Sequence, residues 1–284
     1  MDKTMKTMNA HRILAALAAF AISVGAFAQA QITTKKEKVG DFTLKTMKVV
    51  LSGNAFADQA IREAMNNTWS LSPFEFCSFD EFNSLKTSDE YYFMIPVKAR
   101  YRNETAPGIM MLCIVKGKPG AKSVNDMVDI VSMPACPADI PSGRENAMLA
   151  GLVDIMQGYI QKSMQNGFKG LGAYTRPLYS ASRRRTVVCE DDVCEALTDK
   201  NLAKFRKKGI EITDDATADS LFLDGGARTL VSYVVAPSDP GKGSFCWKFM
   251  IDAKTHELYY FRKHKISRPE MSGFLKSDLA KLCR

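Results

Sequence analysis

The chain has 284 residues, 39 Lys and Arg against 31 Asp and Glu, a formal net charge of +8 and 46% hydrophobic residues. That composition belongs to a folded globular protein and excludes a disordered chain. The positive excess is spread along the sequence rather than gathered in a block, which argues against nucleic acid as a partner and suits work beside anionic surfaces.

Lys3, Lys6 and Arg12 precede an apolar run from Ile13 to Ala28 that only Ser23 and Gly25 interrupt. Ala26-Phe27-Ala28 places small residues at the two positions that a signal peptidase reads. The run of 16 residues is shorter than the roughly 20 that a membrane-spanning helix needs. Residues 1–28 therefore read as a secretory signal peptide cleaved between Ala28 and Gln29, with the mature chain exported to the periplasm or beyond the cell. Cleavage removes three cations and one acid and leaves 256 residues with a net charge of +6.

After an N-terminal segment (29–45), one order of elements is read twice. In the first unit, 46–168, KTMKVVLSG is a strand, and Phe56, Ala60, Ile61, Ala64 and Met65 have helical spacing. SPFEFCSF is a strand, and DEFNSLK is a short helix that Asp80 can cap. YYFMIPVKARY, GIMMLCIVKG and MVDIVSMP are three more strands. Ser142-Gly-Arg-Glu145 is a capping box opening a long helix with an apolar stripe of Met148, Leu149, Leu152, Ile155, Met156, Tyr159 and Ile160, ended by Asn166-Gly167.

Residues 169–184 (KGLGAYTRPLYSASRR), rich in Gly, Pro and Ser, read as the linker. The second unit, 185–284, repeats the order. TVVC is a strand, LTDKNLAKFRKKG a helix stopped by Gly209, IEIT a strand and DATADSLF a short helix. RTLVSYVVAP, GSFCWKFMIDA and HELYYFRKHKI are the last strands, and SGFLKSDLAKLC is a closing helix. The counterparts are Val49-Val50 with Val187-Val188, Cys113 with Cys246, and Val128–Met133 with Leu258–His264. The expected fold class is α/β (α+β): two tandem βαβαβββ units, each a mixed sheet with helices packed on it. The first three strands of each unit are expected to be parallel and the last three an antiparallel meander.

This order, ending in IDAKTHELYY, resembles the small α/β domain at the N-terminus of TolB and related envelope proteins. TWSLSPFEFCSFDEFNSLK and GIMMLCIVKG are similar to stretches of an uncharacterised exported α/β family of Bacteroides-like bacteria. The first resemblance covers each unit in outline and the second most of the mature chain. They imply an envelope protein, and they carry no catalytic residue over.

The seven cysteines are an odd number, so at least one is unpaired within the chain. Cys77, Cys113 and Cys246 stand in apolar strands and read as small buried hydrophobes, whereas Cys189 and Cys194 flank an acidic turn and could close a disulfide. The mature part holds only His256 and His264, too few for a histidine metal site. Cys246 and His264 could face each other across the meander, more simply as a buried thiol beside an imidazole than as a dyad. No phosphate loop, dinucleotide fingerprint or hydrolase elbow is present. The acidic groups Glu190-Asp191-Asp192 and Asp214-Asp215 read as a solvated turn and a helix cap. The aromatic group from Trp69 to Phe93 reads as core.

The surface candidate is the last hairpin: Tyr259, Tyr260, Arg262, Lys263, His264 and Lys265, with Lys254 and Arg268 nearby. Cations interleaved with aromatic rings can hold an anionic glycan, lipid headgroups or a partner's acidic face. The same residues also protect a sheet edge from aggregation, and Arg183-Arg184-Arg185 adds charge in the linker. The expected function is a non-catalytic binding module of the cell envelope with no cofactor and no metal. Its partner would be an envelope protein or an anionic glycan or lipid surface. The alternative is a secreted hydrolase whose site has no recognisable motif.

Overall fold

A computed structural model describes residues 33–101, 104–140, 142–181, 183–241 and 243–283. The expected signal peptide (1–28) and its expected cleavage point lie outside the described residues. The first unit is preceded by β1 (Thr33–Thr34) and α1 (Lys36–Val39). It then runs β2 (Met47–Val50), α2 (Ala55–Thr68), β3 (Phe74–Cys77), α3 (Phe79–Leu85), β4 (Tyr92–Ala99), β5 (Ile109–Lys116) and β6 (Val128–Pro137). The long helix α4 (Arg144–Asn166), β7 (Phe168–Lys169) and α5 (Leu171–Tyr174) lead into the second unit. That unit consists of β8 (Arg185–Cys189), α6 (Asp199–Lys207), β9 (Ile210–Thr213), α7 (Asp215–Leu223), β10 (Thr229–Val235), β11 (Phe245–Asp252), β12 (Leu258–Lys265) and α8 (Lys276–Leu282).

The two sheets have one topology. The first is ordered β3-β2-β4-β5-β6 and the second β9-β8-β10-β11-β12. In each, the first two pairings are parallel and the last two antiparallel. Val49-Val50 and Val187-Val188 fall in the matching strands β2 and β8, and Cys113 and Cys246 in β5 and β11. The repeat follows from residue type. The central parallel strands are covered on both faces: all four residues of β2 (MKVV), Lys48 included, and the last four of β8 are buried, whereas the flanking strands β3 and β9 are only partly so. Pro96 stands inside β4, where it cannot donate to a ladder. The pairing of β4 with β2 stops at Met94, so Pro96 sits beyond the end of its parallel neighbour.

Local signals hold with three adjustments. The cap of α3 is Ser78 rather than Asp80, because its hydroxyl already accepts from the Glu81 N–H at 3.1 Å. In the capping box, both Glu145 bonds come back to Ser142 Oγ and Gly143 N, so α4 begins at Arg144 with Gly143 as its cap. Phe56 leaves the apolar stripe of α2 and is 67% exposed. Gly209 follows α6 with φ 90°, the left-handed stop its position suggests.

Helix α4 joins the units. One side packs on α2 and β6, and another on α7 of the second unit. A Cβ at Gly151 would lie 2.6 Å from the Phe222 ring, so glycine permits that close approach. One apolar core runs from Val49 through α4 to Phe261, and a second lies on the outer face of the second sheet, beneath α6 and α8. The segment read as a linker is tied to the fold at several points: Leu171 and Ala181 are buried, and Arg176 N–H donates to Leu258 O.

Candidate functional site

Strand β12 is the outer strand of its sheet. Its first half is covered by residues 176–181, through the Arg176 bond to Leu258 O at 2.7 Å and the turn at 178–181. Its second half carries Arg262, Lys263 and Lys265, all exposed. Tyr259 and Tyr260 do not join that surface: they are 3% and 4% exposed. The strict alternation assumed from sequence fails at a bulge, where Met250 pairs with Tyr260 but Ile251 with Leu258, leaving Tyr259 as the extra residue. Both tyrosines therefore enter the outer core. The Tyr260 hydroxyl donates to Asp278 Oδ1 at 2.6 Å and its ring stacks on Phe274, while Tyr259 lies beneath Arg184.

His264 is half-buried, with Nε2 2.9 Å from Met271 O. It stands directly opposite Cys246 in the ladder. Burial and the Lys248 charge lower the His264 pKa, and burial pushes the Cys246 thiol up to about 12. A thiol held protonated beside an imidazole that resists protonation is not an activated nucleophile. Cys189 and Cys194 are both buried free thiols rather than a disulfide. The turn between them is held instead by the 3₁₀ turn Glu190–Asp192 and by Cys194 N–H donating to Phe274 O.

Lys263 and Lys265 lie on the side of β12 that faces Phe245 and Trp247, whereas Arg262 lies on the side of α6 and α8, whose cations the sequence reading did not assign to a surface. Helices α6 and α8 pack together over the outer core through Phe205, Leu279 and Leu282. Their solvent sides carry Lys200, Lys204, Arg206 and Lys207, followed by Lys208, and Lys276 and Lys281. Arg262 extends over the Tyr260 ring, 5.9 Å from its centroid, on the face where α8 lies. The acid of α8, Asp278, is buried and neutralised by Lys248, so it adds no negative charge outside. The sequence signal was the run KFRKK, which the preference of helix C-termini for cations explains on its own. Of the linker arginines, Arg184 pairs with Asp252 and Arg185 with Glu211.

A second feature lies between the units. A cavity of about 300 Å³ opens at the carboxyl ends of β8 and β10, lined by Arg144, Asp191, Asp192, Glu195, Asp215 and Tyr233 among others. In a doubly wound sheet that is where the crossovers diverge and ligands settle. Asp192, read as part of a solvated turn, is 4% exposed. It accepts from Arg144 Nη1 at 2.7 Å and from Ser232 Oγ at 2.5 Å. Arg144 also donates to Asp219 Oδ1 at 2.9 Å and to Ser232 O at 3.1 Å. Burial would lower the Arg144 pKa, but Asp192 and Asp219 outweigh it and the group stays charged. Sequence reasoning missed Arg144. The available signal was a cation in the first turn of a helix, where the macrodipole disfavours it.

The eight aromatic residues from Trp69 to Phe93 are core or packed against it. Among the described residues, no helix is long and apolar enough to cross a membrane, and no group of three or more His, Cys, Asp or Glu is placed to hold a metal ion. No family model, curated protein or solved structure matches this chain.

Proposed function

We propose that the protein is an exported, non-catalytic binding module of the cell envelope that engages an anionic surface, glycan or lipid headgroup, through the exposed β12 edge of its second unit. The observation that carries this reading is the exposure of Arg262, Lys263 and Lys265 at the open end of β12, with Arg262 on the face that the lysine-covered helices α6 and α8 share and Lys263 and Lys265 on the opposite face. Opposed charge draws such partners together and fixes orientation more than it adds raw affinity. The aromatic rings serve as packing beneath the cations: Lys263 lies over Phe245 and Arg262 over Tyr260. Export rests on the apolar run and Ala-Phe-Ala at 13–28.

The test is co-sedimentation of the mature chain with vesicles of phosphatidylglycerol and phosphatidylcholine, against vesicles of phosphatidylcholine alone. Retention on the anionic vesicles only is the expected result. Equal behaviour on both would remove the charge-based reading. For export, the amino terminus of material recovered outside the cytoplasm is expected within two residues of Gln29.

The cavity at the ends of β8 and β10 supports a second reading, a hydrolase. Asp191, Glu195 and Asp215 line one concave space, and carboxylates can act as general acid and base. Turnover of a glycoside or ester that is lost in Asp215→Asn, with vesicle binding retained, would favour it.

A further inference from the structure

The matching position of the first unit holds a cavity of the opposite character. A space of about 120 Å³ opens at the carboxyl end of β2, between β4–β6, α2 and α4. Its wall is apolar, formed chiefly by Val50, Ile61, Pro96, Met110, Leu112 and Leu152. Its polar groups are Ser52, Asp58, Glu145 and Asn146, contributed by the loop after β2 and the first turns of α2 and α4. This is the pattern of a small-molecule site, an apolar cleft with a few polar groups on rigid elements, at the same topological position as the inter-unit cavity.

Charge selects the ligand class. The helix N-termini of α2 and α4 meet here, each equivalent to about half a positive charge, which alone would favour an anion. The protein has already placed a carboxylate at each. Asp58 accepts from Ser52 N, Ser52 Oγ and Gly53 N at 2.7, 2.8 and 3.0 Å. Glu145 accepts from Ser142 Oγ and Gly143 N at 3.0 and 2.9 Å, both through Oε2. Two full negative charges against two half-positive ends leave the site negative, and no Lys, Arg or His is among its described lining residues. Size limits the apolar part: a cavity of about 150 Å³ admits benzene, so about 120 Å³ admits roughly four or five carbons.

We infer that this cavity is a binding site for a small apolar ammonium ion, its hydrocarbon part enclosed by the β2, β5 and α4 side chains and its cationic head at Asp58 and Glu145. The site is independent of the basic edge on the second unit. A dissociation constant on the order of 1 mM is the scale that so few heavy atoms support.

The experiment titrates the mature protein, labelled at methyl groups, with n-butylammonium, n-butanol and butyrate at neutral pH, following the Met110, Ile61, Leu149 and Leu152 methyl signals. The amine is expected to shift them saturably, about tenfold tighter than the alcohol, as one charge-assisted contact allows, with butyrate weakest. Ala57→Leu, which fills the mouth, should abolish the shifts. Glu145→Gln should narrow the gap between amine and alcohol. Absence of saturable shifts with the amine, or an alcohol or carboxylate that binds as well, overturns the inference. The ligand order in the unmodified protein decides the matter even if a variant fails to fold.

Discussion

Arg144 of α4 and Asp192 of the β8 turn, separated by 47 intervening residues, meet at 2.7 Å with both side chains 6% exposed. The pair fastens the first unit's closing helix to the middle of the second sheet, and Asp219 and Ser232 complete the network. Removing one member of a buried ion pair leaves the other charged and unsolvated, at a cost of about 3–5 kcal/mol. Arg144→Met should therefore destabilise the protein by about that amount and loosen the contact between units. Urea unfolding checks it. A loss under about 1 kcal/mol would mean that water reaches the pair freely.

The buried pair Lys248 and Asp278, joined by the Tyr260 hydroxyl, fastens α8 to β11 and β12. Burial alone would raise the Asp278 pKa, but the bonds from Lys248 and Tyr260 outweigh it and the value is lowered. A lowered carboxyl contributes stability that is present above its unfolded value, about 3.9, and is lost as pH falls through the folded value. Asp278→Asn is therefore expected to cost most near pH 7 and progressively less below about pH 4. Urea midpoints of both proteins between pH 2 and 7 test this. A difference that stays constant over that range would rule out the linkage.

Burial pushes the Cys77 and Cys189 thiols up to about 11 and those of Cys113, Cys136 and Cys246 up to about 12. At pH 8 these five should resist iodoacetamide in the native protein and react once urea exposes them. Mass spectrometry after timed alkylation gives the result site by site. Rapid native modification of Cys246 would restore the case for a reactive thiol opposite His264.

The sheets were legible because periodicity and strand order are local signals that the chain carries twice. Val49-Val50 and Val187-Val188 could be matched before any contact was known. The site was less legible because it depends on where the period breaks and on what lies far away in sequence. One bulge at Tyr259 turns two expected surface tyrosines into core residues. Arg144 looks like a capping-box filler until the second sheet brings Asp192 and Asp219 to it. The cations of α6 are visible in KFRKK, but nothing local shows that α8 will lie beside them. The apolar cavity at β2 is invisible in sequence for the same reason: its walls come from six separate elements.

The most direct test of the central claim is the salt dependence of vesicle binding by the mature chain and by its Arg262→Ser/Lys263→Ser/Lys265→Ser variant. Each basic residue near an anionic membrane contributes about 1 kcal/mol, so losing three should weaken binding about 100-fold at low salt. The gap should shrink as salt shortens the screening length from about 30 Å at 0.01 M to about 8 Å at 0.15 M. Folding should change by less than about 0.5 kcal/mol, because the three side chains are exposed. A parent protein that does not bind anionic vesicles at low salt, or a variant that binds them equally well, would show β12 to be a protected edge and nothing more.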